Sequence, residues 1–158
     1  MNRPIQTYYP PHLRVCFGCG TDHPRGLHIQ TLWQDGQGIC RFRPAPDCHG
    51  YPGMAYGGLI ACLIDCHSVG TATAATYEAE DRAPDSAPPV IYVTGTLTVR
   101  YLRPTPLEGE LVLRARCREI RGRKATVECA VFAGEMECAR GEVVCLRLQE
   151  TDLPQTDA

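Results

Sequence analysis

AYGGLIACLIDCHSVGTATAATY, residues 55–77, decides how the rest of the chain is read. From Gly57 onward it holds no proline, and Leu59, Ile60, Leu63 and Ile64 recur at helical spacing, which predicts one long helix from Gly57 to about Tyr77. At 1.5 Å per residue such a helix is about 30 Å long, and its apolar content requires burial on most sides. The small residues of TATAAT, 71–76, permit close backbone approach. Between Cys48 and Tyr77 only one acid occurs, Asp65. An unpaired charge in apolar surroundings costs several kcal/mol or takes up a proton, so Asp65 either faces water or has a chemical role.

Outward from this helix the pattern changes to strands. Upstream, GLHIQTLWQDGQGICRFR (26–43) predicts a hairpin: Leu27, Ile29 and Leu32 or Trp33 lead into an Asp35-Gly36 turn, and Ile39 to Phe42 return. Downstream, EAEDRAPDSAPP (78–89) is an acidic, proline-rich loop. Then VTGTLTVRYLRP (93–104) alternates Leu97, Val99 and Tyr101 against Thr96, Thr98 and Arg100. ELVLRARCREI (110–120) alternates Leu111, Leu113, Ala115 and Cys117 against Arg114, Arg116 and Arg118. After a turn at Arg121-Gly122-Arg123, ATVECAVFA (125–133) puts Val127, Cys129 and Val131 on one face, and past Gly134-Glu135 the chain returns through MECARGEVVCLRL (136–148). Short turns between these four strands predict an antiparallel meander. Two strands, one buried helix and four more strands make an α+β domain, in which one antiparallel sheet wraps the helix. Residues 1–15 and 149–158 read as irregular flanking segments.

The bulk numbers agree with one domain over 1–158, since single cores are commonly built from about 100 to 200 residues. Apolar residues are 44% of the chain and charged residues 22%, an ordinary globular balance. A net charge of −2 with scattered basic residues gives no footprint for nucleic acid. The longest strongly apolar run, Gly57 to Ile64, is far short of the roughly 20 residues that cross a bilayer, so no membrane association is expected. MNRPIQTYYPP lacks the apolar stretch of an export signal, and the expectation is a cytoplasmic protein.

Ten cysteines fall below the roughly 8–10% that marks a disulfide scaffold and are read as thiols. Cys117, Cys129 and Cys145 lie in strand patterns, as small buried hydrophobes do. Cys16-Phe17-Gly18-Cys19 is a CxxC knuckle, with His23, Cys40, Cys48 and His49 as further ligand types. Zinc wants four such ligands, and a second CxxC or HxxxH is absent, so the knuckle is read without metal. It is also read as non-redox, because no strand leads into it and no helix opens there. Cys66 and His67 point about 100° apart on a helix and cannot form a dyad; His67 lies with Ile60, Ile64 and Thr71 as a hydrogen-bonded core or interface residue.

Three pieces, CFGCGTDHPRGL (16–27), PGMAYGGLIACLID (52–65) and VTGTLTVRYLRPTP (93–106), in this element order, resemble the PaaI-type acyl-CoA thioesterases of the hot-dog fold, within the 4-hydroxybenzoyl-CoA thioesterase-like superfamily. In that family a His-Gly-Gly is followed by an acid nine residues after the His, and Tyr56-Gly57-Gly58 precedes Asp65 at that spacing. The resemblance implies hydrolysis of an acyl-CoA thioester to a carboxylic acid and free CoA, with no metal or redox cofactor. It also implies a homodimer, often paired further into a dimer of dimers, with two shared sites per dimer.

Elementary physics gives the residues roles in such a site. Gly57 and Gly58 open the helix, where unpaired amides and the positive end of the dipole can hold a developing oxyanion. Asp65 lies about 10.5 Å further along the axis, so one helix cannot bring both to one carbonyl carbon. The carboxylate must then meet a glycine amide from a neighbouring subunit. Asp65 acts as general base toward water or attacks the thioester itself, and both remain open. The other reading of Asp65 is an acid satisfied by Thr or backbone partners, or one facing solvent between subunits.

Thr94 aligns with a hydroxyl residue that orients water in some relatives; it also reads as a β-favouring residue at a strand start. Arg100 and Arg103 either contact CoA phosphates or are solvated strand residues. The sequence departs from the family at Tyr56, which stands for the usual His, and at Gly50, where some relatives place an asparagine. A Tyr56 hydroxyl can donate a hydrogen bond and His49 stands one residue from the missing amide, so either can substitute, or the protein binds acyl-CoA without fast hydrolysis. The rival functions are a non-catalytic acyl-CoA or small-ligand binding protein on the same scaffold and a zinc-stabilised interaction domain.

Overall fold

A computed structural model describes residues 1–149 and residue 152. The expectation of an irregular tail over 149–158 therefore lies almost wholly outside the described residues. Two single-turn 3-10 helices, Ile5–Tyr8 and Pro11–Leu13, precede β1 (Leu32–Gln34), β2 (Gln37–Phe42), α1 (Gly57–Ala79), β3 (Tyr92–Tyr101), β4 (Leu111–Arg121), β5 (Lys124–Ala133) and β6 (Met136–Arg147). The strands form one six-stranded sheet in the order β1-β2-β4-β5-β6-β3, every pair antiparallel.

The helix runs as its proline-free, apolar sequence requires, two residues past Tyr77, and packs on β2 through β6. By length and composition it could cross a bilayer, which the eight-residue apolar run alone did not suggest, but 67% of its apolar window is buried inside the fold. Leu59, Leu63 and Ile64 meet the inward sets Leu111, Leu113 and Ala115 of β4, Ala125, Val127 and Val131 of β5, and Val143 and Cys145 of β6, all at or near 0% exposure. Close approach depends on Gly141, where a Cβ would stand 2.4 Å from Ile64 Cγ2. All ten cysteines are free; Cys129 and Cys145 are buried as expected, whereas Cys117, nearer the strand end, is only half-buried.

Three expectations are corrected. The hairpin's first strand is short, because the amides of Leu27 and Ile29 are taken by the carbonyls of Phe17 and Gly18 rather than by β2. The turn itself is as read: Asp35 and Gly36 both have positive φ, 49° and 71°, the geometry of a tight two-residue hairpin. The four late strands are not a simple meander. β3 pairs with β6 and β2 pairs with β4, so the chain crosses from one flank of the helix to the other between β3 and β4. A helix apolar on most sides needs cover on both flanks, which β3 and β2 supply. As an edge strand β3 leaves Val93 at 41% and Tyr101 at 56% exposure, although alternation alone places Tyr101 inside with Leu97 and Val99.

Residues 1–15 are tied down rather than loose. Ile5 is buried and its amide donates to Thr31 O at 2.9 Å. A polar chain then runs inward: Gln6 Nε2 donates to Thr31 Oγ1 (3.2 Å), which sits 2.9 Å from His67 Nδ1, and His67 Nε2 lies 3.2 Å from Gly38 O. A carbonyl only accepts, so Nε2 carries the proton and Nδ1 accepts from the Thr31 hydroxyl. Burial pushes the His67 imidazole down to about 4, and the Gly38 contact opposes that shift. His67 is thus a neutral, hydrogen-bonded core residue.

Candidate active site

Asp65 is half-buried on α1, and Thr94 Oγ1 of β3 donates a hydrogen bond to its Oδ1. A β-bulge produces this meeting. Strict alternation carried back from Leu97 puts Thr94 on the outer face with Thr96 and Thr98. The pairing instead slips between Thr94 and Thr96, leaving Gly95 as the extra residue: Thr94 opposes Cys145 while Thr96 opposes Val144. Cys145 faces the helix, so Thr94 does too. A glycine inside a strand pattern is the signal that could have disclosed the bulge.

Asp65 and Thr94 lie at a cavity of about 370 Å³ whose wall is mostly apolar, including Leu13, Val69, Val90 and Leu148. Tyr9 and the Cys16/Cys19 knuckle complete it from the N-terminal segment, and sequence reading assigned none of these to the site. The Tyr9 hydroxyl is buried without a hydrogen-bond partner among the described residues, and burial holds its phenol well above the ordinary value. Hydrogen bonds from Cys19 and then Cys66 hold the Cys16 thiol well below the ordinary range, while Cys16 pushes Cys19 up to about 12.

The N-terminal end of α1 opens into a separate cleft of about 420 Å³, lined by Tyr56, Gly57, Tyr101, Leu102 and Arg103 among others. Tyr56 is the N-cap without a side-chain cap bond, and its carbonyl takes the amides of Leu59 and Ile60. The amides of Gly57 and Gly58 find no backbone acceptor among the described residues. Tyr101 OH donates to Gly57 O at 2.8 Å. The Tyr56 ring lies against Gly58, where a Cβ would fall 2.5 Å from Tyr56 Cε2. A side chain at Gly50 would press on the Tyr56 backbone, 3.1 Å from its Cα, so the missing asparagine and the tyrosine are neighbours.

His49 is exposed, bridges to Ala55 beside the helix start and holds Pro46 O at 3.1 Å through Nδ1. Arg103 donates to Glu137 O at 2.8 Å within the same cleft. The structure therefore gathers Asp65 with Thr94 in one place, and Gly57, Gly58, Tyr56, His49 and Arg103 around another. Arg100 joins neither: it points to the outer face of the sheet opposite Arg140, in a groove with Arg114 and Arg116.

A family model described as thioesterase superfamily matches residues 52–139. Acyl-coenzyme A thioesterase THEM4 of Xenopus laevis is 31% identical over 134 residues, covering 76% of this chain and 54% of that protein. The chain thus spans about half the length of the curated relatives it matches, 46% for the rat protein of the same name. Among solved structures, a thioesterase superfamily protein from Shewanella loihica PV-4 is 39% identical with a TM-score of 0.64, covering 81% of this chain and 96% of that one. A Streptococcus mutans protein bound to acetyl CoA shares the fold at 19% identity and a TM-score of 0.62, covering 76% and 88%.

Proposed function

The chain belongs to the thioesterase superfamily and has its hot-dog fold, and we propose that it hydrolyses acyl-CoA thioesters to a carboxylic acid and free CoA at sites shared across a homodimer. The observation that carries this reading is the Asp65 carboxylate, held by the Thr94 hydroxyl in the lining of a mostly apolar cavity. The acyl group occupies the cavity, which brings its carbonyl carbon to Asp65. Thr94 fixes one carboxylate oxygen, leaving the other free to take a proton from water or to attack the carbonyl carbon. Attack drives charge onto the carbonyl oxygen, and the unpaired amide of Gly57 or Gly58 of the partner subunit stabilises it. Collapse of the tetrahedral species expels the CoA thiolate, which takes up a proton; with water as the attacking group this gives the carboxylic acid directly, and with Asp65 as nucleophile it leaves an acyl anhydride on the carboxylate, which water then hydrolyses to the acid and free Asp65. Two features support the shared arrangement: the helix spacing of about 10.5 Å between the two groups, and their opening into separate cavities within one chain.

One observation favours a second reading, an acyl-CoA or small-ligand binder without turnover. The Tyr56 ring, where the family has His, packs against Gly58, with Cε2 2.5 Å from where a Cβ would stand. Tyr56 is 43% exposed, which leaves its side chain room to swing aside or to donate its own hydroxyl. Thiol release from short, aromatic and long acyl-CoAs separates the readings. Asp65→Asn is expected to lower kcat by about 10²–10⁴. No turnover of any substrate by the wild type, or an unimpaired Asp65→Asn, overturns the hydrolase.

A further inference from the structure

The CxxC knuckle fails as a metal site on sequence spacing because it lacks a complementary pair. The fold brings Cys66 of the helix to it, with Cys62 one turn away, outside the 4.8 Å convergence of the other three sulfurs. Cys62 and Cys66 stand one turn apart on the same face of α1. The Sγ atoms of Cys16, Cys19 and Cys66 lie within 4.8 Å of one another, the one such convergence of ligand atoms among the described residues. Tetrahedral zinc, with bonds of about 2.3 Å to sulfur, sets its sulfurs about 3.8 Å apart, so only a slight inward closure of these three is needed.

Gly18 is what lets the knuckle reach the helix. A Cβ there would fall 2.4 Å from Cys66 Sγ and 3.2 Å from Cys62 Sγ, so the two helix sulfurs flank the position where any other residue would put its side chain. The knuckle is also held by backbone bonds: Gly20 N to Cys16 O at 2.8 Å, Leu27 N to Phe17 O at 2.8 Å and Ile29 N to Gly18 O at 2.9 Å. Cys19 and Cys66 are 7% and 8% exposed while Cys16 is exposed, which gives dry ligands on one side and an entry path on the other. The remaining buried thiols, such as Cys40 and Cys129, join no such group and need no explanation beyond apolar packing.

We propose that Cys16, Cys19 and Cys66 bind a zinc ion, with Cys62 as the fourth thiolate. Soft sulfur donors select a thiophilic cation, and an all-thiolate tetrahedral set is a closed, structural site rather than one with an open catalytic position. The bound ion pins the loop of residues 16–27 to the helix one residue from Asp65, so that the N-terminal wall of the cavity is fixed relative to the carboxylate. Each thiol gives up its proton on binding, so metal is released as pH falls.

The test reads metal and does not depend on turnover. Full-length protein, purified reduced and without chelator, is expected to carry about one zinc per chain by elemental analysis. After removal of the zinc, cobalt added in its place is expected to give a sulfur-to-cobalt charge-transfer absorption. Cys16→Ser, at an exposed position that leaves the core alone, is expected to weaken zinc binding at least about tenfold in competition with a chromophoric chelator. Cys66→Ala does the same, and Cys117→Ser binds as wild type does. Zinc far below one per chain together with no charge-transfer band, or Cys16→Ser binding as tightly as wild type, overturns the proposal. So does iron in place of zinc.

Discussion

The acid at 65 is held by a hydroxyl from another element, and the polar contacts of single residues carry testable weight. Thr94→Val removes the donor to Asp65 Oδ1. A hydrogen bond to a charged group contributes about 1.5 kcal/mol or more, so kcat is expected to fall roughly tenfold with little change in KM, and Thr94→Ser to recover most of it. Steady-state kinetics of the two variants decide. His67 makes the second residue-scale prediction. Its folded-state value, about 4, lies below the ordinary 6.5, so on acidification the unfolded chain gains a proton that the folded chain refuses. Stability associated with His67 is complete above pH 6.5 and is lost as pH falls toward 4, by about 3 kcal/mol in all. Urea denaturation at pH 7 and pH 4.5 is expected to show a steeper acid loss for wild type than for His67→Gln.

Among elements, the contact of β6 with α1 is set by Gly141. Gly141→Ala places a methyl 2.4 Å from Ile64 Cγ2, and overpacking of this kind costs about 1–3 kcal/mol. Ile64→Ala makes room by its own cavity penalty of about 2–5 kcal/mol. In contact the two do not add, so the double variant is expected to lose clearly less than the sum of the singles in chemical denaturation. Strand β3 illustrates how far periodicity carries. Its existence and the inward set Leu97 and Val99 follow from alternation, but the face of Thr94 depends on the slip at Gly95, and a bulge is decided by the partner strand.

For the whole molecule the prediction concerns subunits. Asp65→Asn and Gly57→Pro, which deletes an amide at the first helical position where proline is tolerated, are each expected to lower turnover by about 10²-fold or more as pure dimers. Mixed after dissociation, a heterodimer joins one intact carboxylate to one intact helix N-terminus. A 1:1 mixture is then expected to regain about a quarter of wild-type activity. No recovery in verified heterodimers places both groups in one chain. Val93, Tyr101 and Leu102 are exposed at and beside the free edge β3.

The sequence by itself determined the elements and the central helix, because periodicity, proline placement and turn residues act within a few residues of one another. It also marked Asp65 and the glycines at the helix start, since an acid in an apolar run and a glycine pair at a helix N-terminus are local anomalies. Only the tertiary structure decided which strands flank the helix, that β3 joins β6 and β2 joins β4, because strand partners are chosen by how a buried helix is covered from both sides. It alone turned Thr94 toward Asp65, separated Arg100 from both clefts, and brought Cys16 and Cys19 against Cys66 across a gap of dozens of residues. Spacing along a chain cannot report such meetings. The knuckle lacks a partner along the chain, and the face of a helix brings Cys66 to it in three dimensions.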